Sequence, residues 1–168
     1  MKRILTTALV AGLGVMAMAQ SPSFIPTNTN IRLGFVYPTE DAVRDFTGNM
    51  FGLGVDIDTN FRLVSFGHGF LSLDYYTSSL DGNKGRVLSA MYNQRMPLSS
   101  MDGRNTYYFV GAGITNVDFT TSKTVFGLRG GVGMSLSEKT YGELVYNFTE
   151  KVDGVRASNF GVYLGFKF

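Results

Sequence analysis

The feature that most constrains this chain is a two-residue beat that runs to its last residue. Read backwards in twos, the C-terminus gives Phe168, Phe166, Leu164, Val162 and Phe160, all large and apolar. The residues between them, Lys167, Gly165, Tyr163, Gly161 and Asn159, are small, polar or amphipathic. Side chains of a strand point alternately to opposite faces, so this is a strand with one greasy face and one wetter face. The same beat recurs upstream, giving strand candidates that start near residues 31, 51, 70, 87, 107, 125, 141 and 158.

Each segment sorts into two faces. Ile31, Leu33, Phe35 and Tyr37 alternate with Arg32, Gly34 and Val36. Phe51, Leu53, Val55 and Ile57 alternate with Gly52, Gly54, Asp56 and Asp58. Leu71, Leu73 and Tyr75 oppose Ser72, Asp74 and Tyr76, and Tyr108, Val110, Ala112 and Ile114 oppose Phe109, Gly111, Gly113 and Thr115. Phe126, Leu128, Val132 and Met134 oppose Gly127, Arg129, Gly131 and Gly133, and Leu144, Tyr146 and Phe148 oppose Glu143, Val145 and Asn147. The fourth segment is less regular: Leu88, Ala90, Tyr92 and Met96 oppose Ser89, Met91, Asn93 and Arg95, but Val87 and Gln94 sit on the wrong faces. Turn chemistry such as "FTGN", "DGNKG", "MDGRN" and "KVDG" separates the segments, and no helical period is visible between them. The stretch "DTNFRLVSFGHGF" reads either as a long turn or as extensions of two strands. Sequential strands with short connections predict an antiparallel meander.

The N-terminus narrows the setting. Lys2 and Arg3 precede an apolar run from Ile4 to Met16, and Ala17-Met18-Ala19 is a small-residue cleavage site. Residues 1–19 therefore read as a secretory signal peptide, 20–29 as a lead-in and 30–168 as one β-domain. There is no Cys, which excludes disulfides and an N-terminal lipid-modified Cys. The formal charge of +2 is that of Lys2 and Arg3, so the mature part is near neutral and offers no basic patch for nucleic acid.

Eight alternating strands close in one of two ways. A soluble ligand-binding barrel has an apolar lumen and a charged exterior; an outer-membrane barrel inverts that. Here one face carries almost no charge, while Arg32, Asp56, Asp58, Asp74, Arg95, Arg129, Glu143 and Lys167 all fall on the other, diluted by Gly, Ser and Asn. Mixed signs among small residues suit an enclosed lumen where charges pair, because an unpaired buried ion costs several kcal/mol. Neighbouring-strand pairs Arg32 with Asp56, Arg129 with Glu143, and Glu143 with Lys167 are the expectation. Aromatics toward the strand ends, among them Tyr37, Phe51, Tyr108, Phe148, Phe166 and Phe168, match interfacial girdles.

These features together resemble the small bacterial outer-membrane β-barrels of the OmpA/OmpX/OmpW class. The resemblance covers the whole mature chain. Its most specific element is the terminal strand, where Phe160, Val162, Leu164, Phe166 and Phe168 look like the signal read by the outer-membrane assembly machinery. It implies an eight-stranded up-and-down transmembrane barrel with a packed polar lumen. It also implies both termini in the periplasm, a monomer, and lipid, assembly machinery and periplasmic chaperones as partners.

Chemistry is thinly supported. The Gly-rich stretches "GAGITN" and "GLRGGVG" lack the Lys-Ser/Thr of a nucleotide loop. The one histidine, His68, lies near Ser65, Ser72 and Asp74, but sequence proximity does not make a triad. No His/Cys cluster suggests a metal. No cofactor, metal or catalytic residue is expected. The reading is a membrane barrel with a structural or surface-interaction role and no open pore. Narrow transport of small or hydrophobic molecules, or lipid modification, are the alternatives.

Overall fold

The structure is a computed structural model describing residues 26–78, 85–98 and 104–168. The expected signal peptide, residues 20–25 of the lead-in, and most of the connections at 79–85 and 99–103 lie outside the described residues. All eight segments are strands: β1 (Pro26–Pro38), β2 (Met50–Thr59), β3 (His68–Thr77), β4 (Arg86–Pro97), β5 (Thr106–Asp118), β6 (Ser122–Ser135), β7 (Thr140–Thr149) and, after a two-stranded ribbon of β8 (Lys151–Val152) and β9 (Val155–Arg156), β10 (Asn159–Lys167). The long strands form a closed antiparallel barrel in meander order, with β10 pairing both β7 and β1. Closure leaves no barrel edge strand, and the last residue takes part: Phe168 N–H donates to Thr29 O at 3.1 Å.

Register fixes the barrel's stagger. Cross-strand partners followed from Leu33 through Leu53, Tyr75, Leu88 and Asn116 reach β6 at Thr124. Followed the other way through Leu164 and Gly142 they reach β6 at Met134, ten residues from Thr124. A stagger of that size on eight strands requires steeply tilted strands, roughly 45° from the axis.

The alternating faces separate through the middle of the barrel. The apolar set points outward, with Phe35 66%, Ile114 58% and Val162 62% exposed. Outward positions 31–37, 51–57, 71–75, 88–92, 108–114, 126–134, 144–148 and 160–166 carry no charged side chain. Among the described residues no helix is long and apolar enough to cross a membrane. The inward face of the belt holds its charges, and several of its glycines stand against rings. A Cβ on Gly133 would strike the Tyr107 ring at 2.3 Å, one on Gly165 the Tyr141 ring at 2.0 Å, and one on Gly161 the Tyr163 ring at 2.3 Å. These inward glycines leave the space that an aromatic ring, on the same or the next strand, occupies.

The two ends differ. At the terminal end, residues 60–67 form an irregular connection between β2 and β3. At the far end, the expectation of no helix is wrong: α1 (Asp41–Thr47) follows β1. It is seven residues long and buries only Val43 and Thr47, one i,i+4 pair, which is too little for a period to show in sequence. The helix ends at Gly48, whose N–H donates to Arg44 O at 2.7 Å. Beneath this end Val36, Met50, Val87, Val117 and Ala157 form an apolar layer, packed by Phe119 and Val152. That layer explains Val87, which faces inward. The ribbon turns on Asp153 and Gly154, both at positive φ (51° and 88°), the backbone of a type I′ turn for which Asp-Gly is favoured.

Candidate functional site

The centre of the lumen is an ionic cluster assembled from five strands. Arg32 on β1 is fully buried, as are Asp56 on β2 and Asp74 on β3. The Arg32 guanidinium lies 2.9 Å from Asp74, 2.9 Å from Glu143 on β7 and 3.3 Å from Asp56. Arg129 on β6 reaches across the barrel to Asp74 and donates to Asn147 Oδ1 at 2.8 Å and to Tyr76 Oη at 2.9 Å. The carboxylates have further partners. Tyr107 donates to Glu143 at 2.7 Å, and Ser72 donates to Asp56 at 2.6 Å while accepting from Asn93 at 3.0 Å. Nearer the terminal end, Arg95 lies over the Phe70 and Tyr107 rings, 4.6 and 4.7 Å from their centroids, and 3.8 Å from Asp58.

Strand register decides who pairs with whom. The residue beside Arg32 on β2 is Gly54, and beside Gly54 on β3 is Asp74. A Cβ at Gly54 would lie 2.4 Å from Asp74 Oδ1 and 2.7 Å from Arg32 Nε, so this glycine is the gap through which the pair meets. Glu143 stands beside Gly133 on β6, and across that gap it takes the hydroxyl of Tyr107.

Of the pairs expected from sequence, Arg32 with Asp56 is present, but two are not. Arg129 stands opposite Asn147, not Glu143, and pairs with Asp74. Glu143 stands opposite Tyr163 on β10, and its cation is Arg32. Lys167 is exposed at the barrel rim, opposite Asn30, with its ammonium 6.0 Å from the Tyr141 ring centroid. The expectation treated charges as partners of the adjacent strand. In a lumen this narrow, long side chains reach two or three strands away, and register sets adjacency. The sequence reading also passed over the polar tyrosines Tyr76, Tyr107 and Tyr141 and the buried Asn147. The signal available was the place of each tyrosine on the inward beat of its strand.

Between this cluster and the far end lies the apolar layer of Val36, Met50, Val87, Val117 and Ala157. The triad components are not assembled into a hydrolase: the Ser72 hydroxyl belongs to the lumen network and Asp74 to the two arginines. His68 is exposed at the terminal start of β3, opposite Arg95. Among the described residues no group of three or more His, Asp or Glu could hold a metal. On the outer wall, β1, β2 and β10 carry a shallow apolar trough of about 820 Å³ lined by residues including Leu33, Phe35, Phe51, Leu53, Val162 and Leu164. The residues of the terminal beat, Phe160, Val162, Leu164, Phe166 and Phe168, all lie on the outward face.

No protein-family model and no curated protein matches the sequence. Solved structures do match the fold. Neisserial surface protein A superposes with a TM-score of 0.62 at 12% identity, covering 83% of this chain and 94% of its own. Ail, the attachment invasion locus protein of Yersinia pestis, solved in complex with the heparin analogue sucrose octasulfate, gives 0.53 at 16%, covering 86% and 100%. The outer membrane enzyme PagL gives 0.52 at 12%, covering 84% and 99%. The chain thus has the fold of the small bacterial outer-membrane barrels, as its sequence resemblance implied. That fold carries both enzymatic and non-enzymatic proteins, so it does not by itself assign a role.

Proposed function

We propose that this chain is an integral outer-membrane β-barrel, exported by its N-terminal segment, with a filled lumen and a structural or surface-interaction role served by the far-end connections. A barrel whose outward belt is uncharged over eight strands, and whose charged groups are enclosed, is stable only with hydrocarbon outside. The observation that carries the absence of a pore is the central cluster: Arg32 is held, fully buried, by carboxylates of three other strands. An eight-stranded interior is just wide enough for side chains to fill, which supports this reading. The far end offers α1 and the connection joining Lys123 to Asp153, with charges of both signs among the described residues. That mixture suits a specific polar surface better than a uniformly basic polyanion site. The terminal beat from Phe160 to Phe168 serves as the assembly signal, and the barrel works as a monomer.

Planar-bilayer recording tests this. The folded protein is expected to give no steady single-channel steps. Steady steps abolished by Gly131→Leu, which would drive into the Phe109 ring, would establish transport instead. A change in membrane lipid profile that His68→Ala abolishes would establish a lipid-modifying enzyme.

A further inference from the structure

Residues 60–67 are not a simple turn. Three observations show that they form a built apolar shelf on the outside of the barrel at its terminal end. First, the segment lies against the outer wall. Phe61 packs edge-on against Tyr92, an outward residue of β4, with centroids 5.4 Å apart, and its carbonyl fills the space beside outward Gly69. Second, its backbone is pinned. Gln94, outward on β4 but only 3% exposed, accepts from Leu63 N–H at 3.1 Å and donates to Phe66 O at 3.2 Å, and Tyr92 donates to Phe61 O at 2.9 Å. Gly67 closes the segment at φ +89°, where a Cβ would meet Arg95 O at 2.1 Å. Third, the large side chains left facing away are mostly apolar: Leu63 is 68% and Phe66 58% exposed, with Phe61 and Val64 also exposed, beside Asn60, Arg62 and Ser65. The pinning explains Gln94, whose place on the outward beat made β4 look irregular.

We infer that this shelf is an interfacial lipid anchor, seated at the headgroup–acyl boundary of the leaflet nearest the termini. The inference rests on the membrane-barrel reading. The occupant is lipid because the shelf continues the uncharged outer belt at the same end as exposed Phe168 and Leu98. An irregular backbone is excluded from the hydrocarbon centre, but one whose carbonyls and amides are answered by Gln94 and Tyr92 fits the interface. Arg62, exposed between Phe61 and Leu63, then lies at the level of lipid phosphate. Among the described residues the shelf widens the belt on the β3–β4 side, so it sets which way the barrel leans in the bilayer.

The chain has no Trp, so one introduced indole reports a single place. Phe66→Trp and, as a second reporter, Leu63→Trp are folded into phosphatidylcholine vesicles, with Ile114→Trp marking the belt. Heat-modifiable mobility in SDS confirms that each is folded. The expected result is that Ile114→Trp is quenched by lipid brominated near the acyl terminus. The two shelf reporters are expected to be quenched more by lipid brominated near the glycerol, and shielded from aqueous acrylamide. Shelf reporters quenched freely by acrylamide, with the belt reporter still quenched by lipid, would put the shelf in water and open to a soluble partner, overturning the anchor alone. A belt reporter untouched by brominated lipid would overturn the membrane-barrel reading itself.

Discussion

Replacing Arg32 by Met tests the idea that the lumen is held shut by ion pairing. Methionine keeps the length of the aliphatic stem and removes the guanidinium. Three carboxylates then lose a cation, at 2.9, 2.9 and 3.3 Å. Asp74 retains Arg129, so it is the least affected. Asp56 keeps only the hydroxyl of Ser72 and a long contact with Tyr141 at 3.4 Å, and Glu143 keeps the hydroxyl of Tyr107. Removing one partner of a fully buried pair costs about 3–5 kcal/mol, because the charge left behind has no water to return to. With a urea dependence of roughly 2 kcal/mol per molar, the unfolding midpoint falls by about 2 M. Far-UV circular dichroism of the vesicle-inserted barrel measures it. The triple variant Arg32→Met/Asp56→Asn/Glu143→Gln removes the stranded charges while keeping their shapes, and is expected to recover most of the loss. A single variant whose midpoint moves by less than about 0.5 M, or a triple variant no better than the single, would refute the claim that stranded charge carries the cost.

Other outcomes follow from the same geometry. Gly133→Leu drives into the Tyr107 ring and should cost about 1–3 kcal/mol in the same assay, while Gly154→Asn at the far-end turn, where φ is positive and space is open, should cost less than 1 kcal/mol. Hydrogen bonds from Lys123 and Thr121 hold the Asp153 carboxyl below its ordinary value. Its contribution to tying the β5–β6 connection to the ribbon is therefore complete at neutral pH and is lost only as pH falls through that lowered value. A carboxyl-carbon NMR titration should show a midpoint below that of free aspartate, and Lys123→Met should raise it. Deleting Phe168 removes its N–H bond to Thr29 and the last outward ring, and should lower the yield of heat-modifiable barrel in outer-membrane fractions.

The strands were legible because a half-buried strand writes its burial into every second residue, and the eight segments carry that beat with few breaks. Where the beat broke, a local structure was waiting. Val87 belongs to the apolar layer at the far mouth, and Gln94 is the pin of the shelf. The helix was invisible because seven residues with one buried i,i+4 pair leave no period to read. The ion pairs were half legible: the inward position of Arg32, Asp56, Asp74, Arg129 and Glu143 was in the alternation, their partners were not.

Sequence alone determined the eight barrel strands, their order as a meander, and the division of each into an apolar face and a wetter face, since alternation is local and needs no knowledge of neighbours. Mixed charges among glycines also marked the wetter face as the enclosed one. Only the tertiary structure decided which carboxylate each arginine met, because that depends on closure and stagger, which bring together residues distant in sequence through gaps that inward glycines leave open.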